Sequence, residues 1–277
     1  MNWMRDCAAV IPCVNEGDSI GELVRAVRKV LPLVIVVDDG STDVTASEAV
    51  SAGAEVLRLF QNRGKGAALR EGFTHARSQG CTWALTLDGD GQHHPDDIPA
   101  LLGRAEQGDV ALVVGNRLTS ADRMPWLRRN VNRWMSRRLS KLAGEPFADS
   151  QCGLRLVNLD AWSNLKFRTE HFEFESELLV EFVKAELQVA FVRVQVFYGP
   201  GQSRIRPVKD SYRWLRWWLG QLRRKHFSQF ISLARLGQSL SGQQDNASSV
   251  GQLHLRVPQS SLKSEPPQFV PAKAALD

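Results

Sequence analysis

Over the first 115 positions, short apolar runs alternate with polar stretches whose hydrophobic residues recur at helical spacing. Cys7-Ala8-Ala9-Val10-Ile11-Pro12 reads as a strand ended by proline. Capping residues Asn15-Glu16-Gly17-Asp18 follow, and then Ile20, Leu23, Val24, Val27 and Val30 fall on one helical face. Leu33-Val34-Ile35-Val36-Val37 is a continuous apolar run, the pattern of a strand covered on both faces. Next come a helix to about Ala52, a strand near Glu55 to Leu59, and a helix opened by Gly64-Lys65-Gly66 that reaches about Gln79. The strand at Ala84-Leu85-Thr86-Leu87 stops at Asp88-Gly89-Asp90, before a helix from about Asp96 to Gln107 and a strand at Val110–Val114. Strands alternating with helices predict an α/β fold, a mostly parallel Rossmann-like sheet with helices on both faces. Such sheets bind ligands beyond the carboxyl ends of their strands. Pro12 to Glu16, Asp38-Asp39 and Asp88-Gly89-Asp90 are therefore expected on one rim.

Beyond Gly115-Asn116-Arg117 the pattern changes. Seven basic residues between Arg123 and Lys141 share a stretch with Trp126, Trp134, Met135, Leu139 and Leu142. Asp149 to Arg155 reads as a turn into a strand, Phe174 to Leu179 as the start of a helix, and Val189 to Phe197 as a strand. A second basic, Trp-rich stretch runs from Arg204 to Lys225 and carries Trp214, Trp217 and Trp218. Three domains of behaviour are expected: a folded domain over 1–210, a basic amphipathic helical segment over 211–237, and a disordered Ser-, Gln- and Pro-rich tail over 238–277. The basic stretches have three readings. They are solvated helices with one side in the core, helices on an anionic membrane surface, or nucleic-acid binders. No recognition motif accompanies the charge, so no nucleic-acid partner is expected.

Composition narrows this picture without changing it. At 277 residues the chain holds one large α/β domain plus appendages. A net charge of +5 is mild, so the placement of charge matters more than its total. Cys7, Cys13, Cys81 and Cys152 lack zinc or CxxC spacing and read as free thiols of a reducing compartment. Met1 to Asp6 runs straight into a strand with no signal-peptide core, and no apolar run approaches the roughly 20 residues that span a bilayer. The expected location is cytoplasmic, with contact only at the inner face of a membrane.

The chemistry concentrates at Asp88-Gly89-Asp90-Gly91-Gln92-His93-His94-Pro95. Two carboxylates at i and i+2 beside a Gln carbonyl form a hard oxygen pocket suited to Mg²⁺ or Mn²⁺; the plain alternative is a solvated acidic turn. Lys65, between glycines at a helix start, can approach a phosphate, or the segment is an ordinary turn. His94 before Pro95 reads as a loop residue, and His93 either touches the same ligand or is structural. Glu173, Glu175 and Glu177 read as a solvated helix face, and Arg155 as the anchor of its own turn.

Taken together, Ile11-Pro12 with Asn15-Glu16, Val36-Val37-Asp38-Asp39-Gly40-Ser41-Thr42-Asp43, Gly64-Lys65-Gly66, Asp88-Gly89-Asp90-Gly91-Gln92-His93, Gly115-Asn116-Arg117 and Asp149 to Arg155 resemble family-2 glycosyltransferases. Within that family the resemblance is to the polyprenyl- and dolichyl-phosphate mannosyl- and glucosyltransferase group. It covers roughly residues 7 to 210, and Gly201-Gln202-Ser203-Arg204 is similar to a Gly-x-Ser-Lys late in those enzymes. The resemblance implies a GT-A nucleotide-sugar transferase fold over 1–210 and metal-dependent, inverting hexosyl transfer. The implied donor is of the GDP-mannose or UDP-glucose type. The implied acceptor is a polyprenyl phosphate or, alternatively, a saccharide hydroxyl.

Residue roles follow by the same resemblance. Pro12, Val14 and Glu16 line a base and ribose pocket, with Asp39 or Asp38 bonding base or ribose. Asp88, beside Gly89, and Asp90 bind ribose and metal, and Gln92 is a further metal ligand. Arg117 approaches an acceptor phosphate, Asp149 stands at the reaction centre as a base for a hydroxyl acceptor, and Arg204 replaces the usual lysine. Tyr198 stands where the mannosyltransferases carry arginine, with Arg206 nearby.

Two rival readings share these residues. A strand followed by Asp-x-Asp-Gly also resembles haloacid-dehalogenase phosphatases, with Asp88 as nucleophile and Asp90 as acid/base, although here it falls on about the fourth strand. A non-catalytic nucleotide-sugar-binding adaptor would use the same fold.

Overall fold

The computed structural model describes residues 1–119, 124–195 and 210–224. Its strands are β1 (Cys7–Cys13), β2 (Val34–Asp38), β3 (Glu55–Arg58), β4 (Trp83–Thr86), β5 (Leu112–Asn116), β6 (Arg155–Asn158) and β7 (Val189–Arg193). They form one sheet in the order β3-β2-β1-β4-β6-β5-β7. β1 and β2 are buried along their whole lengths, as their unbroken apolar runs require. Pairing is parallel except at β6, which runs antiparallel to both β4 and β5. That one reversal places the start of β6, and the Asp149–Leu154 turn before it, on the rim where the other strands end.

The chain steps from β1 through α2 (Gly17–Arg28) to β2, and through α3 (Thr45–Ser51) to β3. It then reverses through α4 (Lys65–Ser78) to reach β4 on the far side of β1. The reversal opens a crevice between the carboxyl ends of β1 and β4, the switch point where such sheets bind ligands. Beyond it lie α5 (Ile98–Glu106), α6 (Trp126–Ala143), α7 (Leu159–Ser163) and α8 (Glu173–Lys184). Residues 210–224 form a last helix, α9. Its Trp214 is buried and its indole N–H donates to Ser176 Oγ of α8 at 2.9 Å. Residues Met1–Arg224 make up one compact unit.

Several boundaries differ from the pattern in the sequence. Pro12 does not end β1; it lies inside the strand opposite Val37. The β4 ladder stops at Val10 opposite Thr86, so only β2 flanks the proline, and a central strand tolerates it there. Met1 to Asp6 does not run straight into β1, because a one-turn helix, α1 (Trp3–Asp6), intervenes. It is held by Trp3, edge-on to Trp83 at 5.9 Å and bonded to Glu106. α2 ends at Arg28, and Val30 packs on the core from the turn beyond. The described part of the last strand ends at Arg193. Glu175 and Glu177 are buried, not a solvated face: Glu177 accepts from the backbone of Arg168 and Thr169. All four cysteines are free and buried. No helix among the described residues is long and apolar enough to cross a membrane. Tyr198, Arg204, Arg206 and the 238–277 tail lie outside the described residues.

Candidate functional site

A cavity of about 800 Å³ opens at the switch point. Pro12, Val14 and Glu16 form one wall, Asp88, Gly89 and Asp90 another, and Asp39, Gly64 and Lys65 close the side beneath α4. His171, Phe172, Arg128 of α6, and Asp210 and Arg213 of α9 complete the lining. The three polar clusters expected on one rim are therefore brought together.

Each wall has a local cause. Asn15 adopts a left-handed backbone, φ 52°, that asparagine tolerates. Its amide donates to Ser41 Oγ and its side chain accepts from Thr42 N–H, which ties the β1 loop to the β2 loop. Asp39 accepts from the N–H groups of Arg63 and Gly64, both at 2.7 Å, and so fixes the turn into α4. Gly64 sits at φ +101°, where a Cβ would lie 2.0 Å from His171 Nδ1, so only glycine fits. Asp38 is placed differently. It is fully buried, bonded to Ser41 N–H, with Arg58 at 3.5 Å, and it is not among the lining residues.

Lys65 enters the cavity from the first turn of α4 and bridges two carboxylates. Its ammonium donates to Asp88 Oδ1 and, at 2.9 Å, to Glu175 Oε1, with the Phe172 ring 5.7 Å away. Burial alone would lower the Lys65 pKa, but Asp88 and Glu175 outweigh it and raise it. Burial would likewise raise Asp88, yet Lys65 and His93 hold it well below the usual carboxylate range. His93 is buried behind the wall, Nε2 3.7 Å from Asp88 Oδ2, while its Nδ1 has no hydrogen-bond partner among the described residues. His94 caps the turn before α5 by accepting from Asp96 N–H.

Asp90 has the opposite electrostatics. Burial and the Asp88 charge both raise its pKa. One oxygen accepts Gln92 N–H at 3.1 Å, and Gln92 itself does not line the cavity. A carboxylate crowded by a second one, on a cavity wall, is a fit for a divalent cation. Among the described residues no three His, Cys, Asp or Glu converge on a metal site. Mg²⁺ and Mn²⁺ do not need such a cage, because one or two carboxylates suffice when substrate phosphate and water complete the shell. The residues present fit that chemistry.

Arg117 and Asp149 are brought to each other and lie outside the lining. They form a bidentate pair at 2.8 and 3.1 Å, 4% and 0% exposed. Asp149 also accepts Arg117 N–H and Gln151 N–H. Burial would raise its pKa, but Arg117 outweighs that and lowers it. A carboxylate so occupied is a clamp, poorly placed to take a proton. Arg155 does anchor its own turn, donating to the carbonyls of Cys152 and Ser150, and it also reaches that of Glu175.

Sequence reasoning gave no role to Glu175, Gly153 or the residues α6 and α9 place on the cavity. Gly153 is needed for close approach: a Cβ there would stand 2.4 Å from Asp88 Oδ2 and 2.6 Å from Oδ1. Gly153→Ala is expected to push the Asp88 carboxylate off Lys65, costing about 1–3 kcal/mol of stability and abolishing any divalent-dependent rise in melting temperature. Calorimetry with and without Mn²⁺ checks both; an unchanged rise would place Asp88 outside the site.

A family model described as glycosyl transferase family 2 matches residues 8–161. An uncharacterized protein of Methanocaldococcus jannaschii, MJ1222, is 30% identical over 195 residues, covering 68% of this chain and 80% of that protein. Glycosyltransferase AglJ of Haloferax volcanii is 30% identical over 208 residues, 72% of this chain and 66% of the relative. The low-salt glycan biosynthesis hexosyltransferase Agl6 of the same organism is 26% identical, with this chain spanning 52% of its length. Among solved structures, glucosyl-3-phosphoglycerate synthase from Mycobacterium tuberculosis, crystallised with Mn²⁺, uridine diphosphate and phosphoglyceric acid, superposes with a TM-score of 0.62. The two are 21% identical, and the match covers 79% of this chain and 77% of that one, a similarity of fold.

Proposed function

The chain belongs to glycosyltransferase family 2, with a GT-A-like fold, and from that premise we propose that it transfers a hexose from a nucleotide-diphosphate sugar to a phosphate acceptor carried by a polyprenyl lipid. The observation that carries this reading is the cavity itself. Pro12, Val14 and Glu16 line the same space of about 800 Å³ as Asp88 and Asp90, wide enough for a nucleotide sugar. Asp90, with Asp88, would hold Mg²⁺ or Mn²⁺, which when bound supplies Lewis-acid compensation for the diphosphate. Gln92 would act through its backbone bond to Asp90.

In the proposed step an acceptor oxygen attacks the anomeric carbon from the face opposite the diphosphate. The new C–O bond forms as the old one breaks, the electron pair leaves on the β-phosphate oxygen, and the configuration inverts. Two observations favour a phosphate acceptor over a saccharide hydroxyl. Arg128 and Arg213 line the cavity, where they would meet an anion. Asp149, the candidate base, is clamped by Arg117. A phosphate oxygen is already ionised and needs no base.

The test is a thermal-shift panel of UDP- and GDP-sugars with Mn²⁺, followed by transfer of the labelled sugar to polyprenyl phosphate. A cognate donor at about a hundred times its Kd adds roughly 2.7 kcal/mol, a rise of about 5–10 °C for a domain of this size. That rise should need the cation, and label should enter the lipid phase. Binding without turnover would favour the adaptor reading, and labelled saccharide with unlabelled lipid would favour the hydroxyl acceptor.

A further inference from the structure

The cationic helices α6 and α9 each carry two apolar faces, and the core uses only one. On α6, Met135, Leu139 and Leu142 are buried, and about a quarter of a turn round the helix Leu127, Val131 and Trp134 form a second stripe, 66%, 40% and 44% exposed. Trp126 stands beside it, 70% exposed. On α9 Trp214 and Gln221 face inward, while Tyr212, Leu215 and Leu219 lie on the opposite side, 65%, 39% and 44% exposed. The two helices are neighbours: the Trp134 and Trp214 rings are 5.7 Å apart. Arg138 joins them, over Trp134 at 5.4 Å and Trp218 at 5.8 Å. Single exposed apolar residues are ordinary; an exposed apolar stripe on each of two neighbouring cationic helices is an interaction surface.

Charge selects the partner. The two helices hold ten of the 35 Lys and Arg but only one of the 30 Asp and Glu, so they carry +9 while the rest of the chain carries −4. The acid, Asp210, is turned to the cavity and lies 3.6 Å from Arg213. A duplex backbone would match the arginines but leave the Trp and Leu stripe facing water. A second copy would bury the stripe but oppose like charges. An anionic bilayer satisfies both, with Trp and Leu among the upper acyl chains and Arg and Lys on the headgroups. Since the same helices contribute Arg128 and Arg213 to the cavity, docking there would set its acceptor side against the lipid. We infer that the outer faces of α6 and α9 form a docking surface for an anionic lipid bilayer. The inference rests on the proposed function only for what the acceptor is, and its test uses lipid alone.

The experiment is co-sedimentation of the full chain with vesicles of phosphatidylcholine, with and without about one-third phosphatidylglycerol. Binding is expected to the anionic vesicles only, weakened at least tenfold by about 0.5 M NaCl as charges are screened. Trp126→Ser/Leu127→Ser should weaken it about tenfold. Arg133→Glu/Arg137→Glu should weaken it more than twentyfold, at about five-fold for each basic residue lost from the surface. All four side chains are exposed and none lines the cavity, so melting temperatures should match the parent. Three outcomes would overturn the inference: no sedimentation with anionic vesicles, equal binding in both double variants, or tighter binding of a DNA duplex than of lipid. A dimer lost in Trp126→Ser/Leu127→Ser, without vesicle binding, would overturn it in favour of a second copy.

Discussion

Asp90→Asn is expected to lower the rate of sugar transfer about 10²–10³-fold, the scale of losing one preorganised group that compensates developing charge, while melting no lower than the parent. The two effects separate because Asp90 is electrostatically uncomfortable in the fold. Burial and the neighbouring Asp88 charge raise its pKa, so the folded protein binds that proton more tightly than the unfolded chain. At a pH below the ordinary carboxylate value both states are protonated and Asp90 contributes nothing. As pH rises through the window between the ordinary and the raised value, the fold loses stability, and the loss persists at neutrality. Asparagine carries no charge to strain, so the variant should equal or slightly exceed the parent at about pH 7.5. A divalent cation relieves the same repulsion in the parent. Added Mn²⁺ should therefore raise the parent's melting temperature more at about pH 7.5 than at about pH 5, where protons compete for the ligand, and should raise the variant's little at either. A variant that unfolds, or one that keeps its rate, would remove Asp90 from the metal-binding role.

Most of the scaffold was legible from periodicity, because β1 and β2 are covered on both faces and their sequences contain nothing polar until the rim. The same logic located Asp88 and Asp90, since a carboxylate that ends a buried strand must emerge where the strand does. Position along the chain could not reveal what each carboxylate faces. Asp38 and Asp39 are adjacent and both end β2, yet one turns toward Arg58 and the other toward the start of α4. Glu175 and Glu177 looked like a solvated face because alternate glutamates usually are. They are buried because Lys65, 110 residues away, and the Arg168–Thr169 backbone supply partners no local pattern encodes. The antiparallel β6 is the other illegible step. An alternating β/α pattern predicts parallel neighbours, whereas β6 enters beside β4 after a long excursion through α6. That entry brings Gly153 against Asp88, and α6, with α9, brings Arg128 and Arg213 to the cavity.

Lys65→Met should be the most destabilising change at the site. Lys65, Asp88 and Glu175 have side chains only 12%, 28% and 7% exposed, so solvent does little to screen the two acids once the ammonium is gone. Removing one partner from a buried ionic cluster costs about 3–5 kcal/mol, because the remaining charge is left uncompensated. For a folded unit of this size that is a fall in melting temperature on the order of 10 °C. The sign of the pH dependence identifies the cause. In the parent, Lys65 and His93 hold Asp88 below the ordinary carboxylate value, so its contribution is full above that value and is lost as pH falls through the lowered one. In the variant the chief counter-charge is absent and burial dominates, so protonation of Asp88 relieves the strain. The deficit between variant and parent should therefore shrink as pH falls from about 7.5 to about 5. Glu175→Gln in the Lys65→Met background removes the second unpaired acid and should recover part of the loss, a coupling that a double-mutant cycle measures directly. Asp88 would remain misplaced, so nucleotide-induced stabilisation should not return with it. If Lys65→Met instead melts with the parent at all pH values, the bridge is incidental, and the low pKa of Asp88 must come from His93 alone.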